Sequence, residues 1–252
     1  MTEAIRVERL SKDYGRAPAV QELTFSVESG TIYGLIGPNG AGKTTTLSIL
    51  AGLLAPTSGL VSILDKPVVA GRASAHTESG FYSSQFGFFD YLTGREILAL
   101  GGGMNGLTPA TVETRIDDLL NLFDLQPAAD HYVYEYSHGM RQKLGLAAAL
   151  IHAPAVLLLD EPFDGLDPTS LYRLVATLRA VSDAGKSVLL TSHDLALVER
   201  VCGRVGVLNH GRMEREIDLN SDLGPSRDRR SALEAALWEI VGAPTYEPLT
   251  WI

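Results

Sequence analysis

The chain has 252 residues, 45% of them hydrophobic and 20% charged, the balance of a globular protein with one sizeable α/β domain or two small ones. Its formal net charge of −9 disfavours general nucleic-acid binding, since an acidic surface is repelled by phosphate backbones, but leaves room for a nucleotide in a local positive site. The one cysteine, Cys202, cannot form an internal disulfide, and its apolar surroundings predict a small buried hydrophobe.

The start, Met1-Thr2-Glu3-Ala4, has no basic segment and no apolar run, so no signal peptide is expected. Alternating residues at 5–10, 23–27 and 60–64 predict half-buried antiparallel strands. Residues 31–36 are more continuously apolar and predict a strand covered on both faces. A glycine-rich turn and a helix over about 43–53 follow. The middle of the chain is predicted to be helical. One short helix covers 93–100. A second opens at Thr108-Pro109 and carries Val112, Ile116, Leu119, Leu120 and Phe123 at helical spacing, and a third covers 139–151. The longest uncharged stretch, 144–159, holds His152 and Pro154. It is too short to span a bilayer and reads as a buried helix, a break and a buried strand. Strands at 156–159 and 188–191 flank a helix near 169–180, a pattern that predicts parallel pairing. A strand at 205–208 ends in the turn Asn209-His210-Gly211. The tail from Asn220 is more polar, with basic residues Arg227, Arg229 and Arg230 and one helix near 232–241. No role for it follows from its residues.

Two segments carry chemistry. Gly37-Pro38-Asn39-Gly40-Ala41-Gly42-Lys43-Thr44 fits the P-loop pattern of Gly, four residues, then Gly-Lys-Thr. Small residues let backbone N–H groups wrap a triphosphate, and the following helix points its positive end at the phosphates. Lys43 is expected to reach the β- and γ-phosphates, and the Thr44 hydroxyl to ligate Mg²⁺. Thr45 continues the same turn. The second segment, residues 156–161, is an apolar strand ending in Asp160 and Glu161. In open parallel sheets ligands bind at such strand ends. Asp160 is expected to hold Mg²⁺, and Glu161 to act as general base on a water. Taken alone, two adjacent acids also fit a solvated turn.

Further pieces narrow the family. Tyr136-Ser137-His138-Gly139-Met140-Arg141-Gln142-Lys143 resembles the signature sequence of ABC (ATP-binding cassette) proteins, and Gly165-Leu166-Asp167 resembles their D-loop. His193 matches the family's switch histidine, Gln85 its Q-loop glutamine and Tyr14 the aromatic that stacks on adenine. The resemblance runs from about residue 5 to 215, with every motif in family order. Singly, His193 also reads as a structural histidine, Tyr14 as a surface aromatic and Ser137 as a helix cap. His138 and Met140 depart from the common signature in the manner of ABC-2-type exporters.

The resemblance implies an α/β P-loop fold of the ABC ATPase type, with a mixed sheet core, an antiparallel β subdomain and a helical signature subdomain. It implies an ATP-binding domain over 1–219, with helices of about 86–152 inserted, and a tail over 220–252. Glu161, His193 and Gln85 are implied as catalytic. Tyr14, residues 37–45, Ser137 and Gly139 would bind ATP, and Thr44, Gln85 and Asp160 would bind Mg²⁺. It also implies two cassettes sandwiching ATP, with Ser137 and Gly139 of one completing the site of the other. The partners would be a second ATP-binding subunit and a separately encoded transmembrane permease, which places the chain on the cytoplasmic side of the cell membrane. The aromatic stretch Phe86, Phe88, Phe89 and Tyr91 is expected either to dock the permease or to pack the helices. A non-transport ABC ATPase acting on a soluble macromolecule is the alternative. A P-loop kinase or GTPase would leave the signature and His193 unexplained.

Overall fold

The computed structural model describes residues 2–15, 17–71, 78–85, 87, 89–219, 221 and 229–242. One sheet is antiparallel, built from β1 (Glu3–Asp13), β2 (Pro18–Glu28), β4 (Ser58–Ile63) and β5 (Lys66–Pro67) in the order β2-β1-β4-β5. β1 and β2 are longer than predicted. Arg9 and Glu22 take left-handed φ values of 45° and 46°, and the β1–β2 register shifts between Val7 and Leu10. Such bulges absorb the residues that interrupt the alternation, so pairing continues past them.

The second sheet has six strands: β3 (Ile32–Ile36), β6 (Ser79–Ser83), β7 (Val156–Asp160), β8 (Ser187–Thr191), β9 (Arg204–Asn209) and β10 (Arg212–Asp218). Their order is β10-β9-β3-β8-β7-β6, with β10 antiparallel and the rest parallel. This is the predicted α/β class, a mixed sheet beside an antiparallel one. β3, β7 and β8 are buried along their whole length, which explains their unbroken apolar sequences. Their side chains alternate between two cores. Ile32, Ile36, Leu157, Leu159, Val188 and Leu190 face the helical side. Tyr33, Leu35, Val156, Leu158 and Leu189 face the antiparallel sheet.

The helices are α1 (Lys43–Leu50), α2 (Gly94–Met104), α3 (Pro109–Leu122), α4 (His138–Leu150), α5 (Pro168–Asp183), α6 (Leu195–Val201) and α7 (Arg229–Val241). Side-chain caps fix several starts. Thr93 and Glu96 form a capping box at α2, Thr108 caps α3, Ser137 caps α4 and Asp167 caps α5. α2 runs beyond its predicted end because its glycines serve packing: a Cβ on Gly102 would press on Val112 of α3. α1 stops short of the predicted Leu53, where Gly52 turns left-handed. Cys202 is buried beside Gly34, as expected. Among the described residues no helix is long and apolar enough to cross a membrane.

Candidate active site

The carboxyl ends of β3, β8, β7 and β6 lie side by side, and each carries part of the site. After β3 the P-loop turns back into α1. Gly37 and Gly42 have φ values of 151° and 101°. A Cβ on Gly37 would collide with the Leu208 carbonyl, and one on Gly42 with that of Ala19, so neighbouring backbone closes the loop onto glycine alone. Gly42 caps α1 with no side-chain hydrogen bond, leaving the helix's positive end without a cap of its own. The buried ammonium of Lys43 donates to the carbonyls of Gly37 at 2.7 Å and Pro38 at 3.1 Å. Burial pulls its pKa down, and the Glu161 and Asp160 carboxylates work against that. Thr45 is half-buried on the first turn of α1.

Asp160, at the end of β7, is buried and held by three hydroxyls. Thr44 Oγ1 donates at 3.2 Å and Thr191 Oγ1 at 2.7 Å to Oδ1, and Ser83 Oγ donates at 3.0 Å to Oδ2. Thr191, at the end of β8, also accepts the Glu161 N–H at 2.9 Å. Glu161 has a left-handed φ of 49°, a conformation that costs a non-glycine residue on the order of 1–3 kcal/mol. The turn aims its carboxylate at His193, whose backbone N–H lies 3.2 Å and whose Nδ1 lies 3.1 Å from Oε2. Burial pushes the Glu161 carboxyl above the usual glutamate range. His193 opposes that shift, nearby Asp164 adds to it, and Lys43 opposes it. Gly37, Pro38, Asn39, Glu161, Asp164, Ser192 and His193 line one cavity of ≈ 520 Å³.

The structure thus gathers Lys43, Thr44, Asp160, Glu161 and His193, with the loop residues 37–39 beside them. Gly40 and Ala41 complete that loop, Gly40 in a left-handed turn and Ala41 buried. Other predicted residues lie apart. Gln85 is exposed. Its N–H reaches Ser83 Oγ at 3.4 Å, and it lines a second cavity, of ≈ 330 Å³, with His138 and Arg141. Tyr14 is 60% exposed just past β1, with Lys12 Nζ 5.3 Å from its ring centroid. Ser137 and Gly139 stand at the start of α4, where the Ser137 hydroxyl accepts the Met140 N–H at 3.3 Å. α4 is tied to the turn after Glu161: Lys143 pairs with Asp167 at 2.7 Å, which holds that carboxyl well below the usual aspartate range, and Gln142 donates to the Pro162 carbonyl at 3.5 Å. Phe86 and Phe88 lie outside the described residues.

Three residues of this neighbourhood were not legible as such. Ser83 sits on β6, a short strand of serine, glycine and aromatics that carries no strong strand signal. Thr191 reads as one more β-branched strand residue. Trp238, in α7, also lines the Glu161 cavity, although it is far from every motif in sequence.

Comparison with known proteins identifies the family and the fold. Residues 20–164 match the family described as "ABC transporter". The chain is 33% identical over 223 residues to the linearmycin resistance ATP-binding protein LnrL of Bacillus subtilis, covering 87% of this chain and 72% of that protein. It is 40% identical over 210 residues to the Nod factor export ATP-binding protein I of Sinorhizobium fredii, covering 83% of this chain and 61% of that one. A dimeric structure of a bacterial ABC transporter cassette superposes with a TM-score of 0.79 at 25% identity, over 85% of this chain and 98% of that one. With its P-loop, acidic strand end and histidine converging on one cavity, the chain belongs to the ABC transporter family, as one of its ATP-binding, ATP-hydrolysing cassettes.

Proposed function

We propose that this cassette drives export through a separate transmembrane permease, and that Glu161 is the general base of its ATPase cycle. The observation that carries the proposal is the convergence of Lys43, Asp160, Glu161 and His193 on the ends of three neighbouring strands. Lys43 and the start of α1 bind the phosphates of ATP. Glu161 takes a proton from the attacking water, and His193 holds the Glu161 carboxylate in place. Tyr14 stacks on the adenine, and residues 37–45 wrap the phosphates. The carboxylate of Asp160 and the hydroxyl of Thr44 are hard oxygen donors 3.2 Å apart, a set that fits Mg²⁺. When bound, that ion neutralises charge on the phosphates. Gln85, exposed two residues beyond Ser83, would complete this set.

Ser137 is exposed and Gly139 half-buried at the start of α4, and neither lines the Glu161 cavity, which suits a role in a facing cassette's site. The dimeric cassette among the similar structures supports that arrangement, and the export and resistance names of the relatives support export over action on a soluble macromolecule. The ATP-binding domain spans 1–219, with the helices of about 86–152 inserted in it and 220–252 following. The permease docks on the aromatic surface of those helices. Phe89 and Tyr91 are 68% and 83% exposed. Tyr91 lies 6.3 Å from Tyr134, which stacks on Tyr132 at 5.8 Å between ring centroids. Exposed aromatic clusters of this kind suit a protein contact. Through that contact the cassette sits on the cytoplasmic side of the membrane. Co-purification from membranes tests the proposal: a multi-helix hydrophobic partner that is recovered with the chain and lost in Tyr91→Ala/Tyr134→Ala supports it. A chain that hydrolyses ATP but recovers no such partner overturns it.

A further inference from the structure

The segment after the last strand has no part in the roles above, yet it forms a wall of the same cavity. α7 is anchored on the body of the cassette: Leu233 and Ala236 are buried in the helical-side core, and Leu237 and Ile240 pack against it. Asn209 Nδ2 donates to the Ile240 carbonyl at 3.5 Å, and Arg215 pairs with Glu239 at 3.5 Å. Gly242, left-handed at φ 85°, closes the helix. So fixed, α7 holds Leu237 and Trp238 in the lining of the cavity that contains Glu161, His193 and the P-loop residues Pro38 and Asn39. Trp238 is 41% exposed. A large aromatic left half in water in the same cavity lining as Glu161 and His193 is poorly placed for simple core packing, and well placed to limit water around that pair.

We propose that Trp238 is a positioning residue of the ATPase: with Leu237 it forms the apolar outer wall that keeps the Glu161–His193 pair oriented and shielded from bulk water. The proposal rests on the catalytic reading of Glu161 and His193. An apolar wall strengthens electrostatic interactions inside the cavity and limits the positions open to the carboxylate and the imidazole. Phosphate binding itself rests on the P-loop backbone and Lys43, which α7 does not build. Loss of the indole therefore slows the chemical step and spares nucleotide affinity.

The test is steady-state kinetics on the full chain with Trp238→Ala and Trp238→Phe. Trp238→Ala is expected to lower kcat by about 10-fold or more, the scale of small misplacements in a reacting constellation, with KM for ATP within about twofold of the parent. Trp238→Phe, which keeps an apolar ring, restores most of kcat. A Trp238→Ala protein with parental kcat overturns the proposal, as does one whose defect lies wholly in KM. The chain has two tryptophans, Trp238 and Trp251, so Trp251→Phe isolates Trp238 as a reporter even if the alanine variant does not fold. Mg-ATP is expected to shift the emission of Trp238 in that protein, and an unchanged spectrum under saturating Mg-ATP also overturns the proposal. If the parent protein itself hydrolyses no ATP, the failure belongs to the catalytic reading and not to Trp238.

Discussion

Glu161 Oε2 is approached by two nitrogens of His193, the backbone N–H at 3.2 Å and Nδ1 at 3.1 Å. With Glu161 ionised, the second contact is a hydrogen bond only when Nδ1 carries the proton, which leaves Nε2 free to face substrate or Asp164, 3.9 Å away. One carboxylate oxygen is thereby fixed and the other is left for a water.

Glu161→Gln keeps the shape and removes the proposed base. Turnover is expected to fall by about 10²- to 10⁴-fold, the usual worth of general acid–base catalysis, while equilibrium titration shows ATP affinity within a few-fold of the parent. Burial raises the Glu161 carboxyl, so the acid limb of the kcat profile lies above the usual glutamate range, and the variant lacks that limb. The linkage has a definite sign. Between the unfolded and the raised folded value the native state holds the extra proton, so stability falls as pH rises through that window. At neutral pH Glu161→Gln is therefore expected to melt at or above the parent temperature.

Thr191 is the hinge pin between the two acids: it donates to Asp160 and accepts from the Glu161 N–H. Thr191→Val keeps the shape and loses both bonds in a fully buried position. Leaving such groups unsatisfied costs about 1–3 kcal/mol, a loss of several degrees in melting temperature for a chain of this size. kcat falls with it, because Glu161 loses the bond that holds its left-handed backbone. Thr191→Ser retains the hydroxyl and is expected to recover most of both. Thermal melts and ATPase rates on the two variants read the difference.

The contrast between Asp160 and Thr191 shows what a single sequence exposes. Asp160 and Glu161 are visible because charge ends an apolar run, and the P-loop because glycine spacing is rare. Thr191 and Ser83 serve the same carboxylate, but a hydroxyl in a strand looks like ordinary strand composition until the sheet order places β8 and β6 on either side of β7. β10 carries little sequence signal for a related reason. It is an edge strand with charged, exposed positions, so it lacks an apolar alternation. α6 is only seven residues long, too short to establish a helical period. Trp238 reaches the site only through the docking of α7, a long-range packing fact with no local signal.

Tyr14 projects from the end of β1, 60% exposed, with Lys12 Nζ over its ring. Stacking of an aromatic on a base is worth about 1–3 kcal/mol, which is about 5- to 150-fold in Kd. Tyr14→Ala is expected to weaken ATP binding by that factor, and Tyr14→Phe to leave it nearly unchanged. The effect is predicted in KM and Kd, with kcat at saturating ATP close to the parent value. An equilibrium titration with ATP and, separately, with inorganic triphosphate checks the assignment, since only the nucleotide should sense the ring.

Ser137 bears on assembly. Its hydroxyl caps α4 while the residue stays exposed. Glu161→Gln with Mg-ATP is expected to elute as a dimer by size exclusion with light scattering, because bound ATP persists between the facing cassettes. Adding Ser137→Arg places a long cation where the facing phosphate would sit and is expected to return the protein to monomer. Without nucleotide both proteins should run alike.

His152 makes a separate prediction about stability. Its Nε2 lies 3.2 Å from the Ser79 carbonyl, so that nitrogen donates, while Nδ1 is buried with no hydrogen-bond partner among the described residues. Burial depresses its pKa; the hydrogen bond to the Ser79 carbonyl opposes that, and the positive charges of Arg115 and Lys186 add to the depression. Arg115 itself is tied to the Ile151 carbonyl at 2.8 Å and Lys186 to that of Ala153 at 2.6 Å, so neither cation can readily retreat. Protonating His152 in the fold would create a buried donor without an acceptor beside two cations. The unfolded chain pays no such cost and takes up the proton below about pH 6.5. Stability is therefore fully present above that value and is lost as pH falls toward the depressed folded value. His152→Gln can still offer an N–H to Ser79 and cannot titrate. Its melting temperature is expected to fall less than the parent's between pH 7 and 5, in buffers of matched ionic strength.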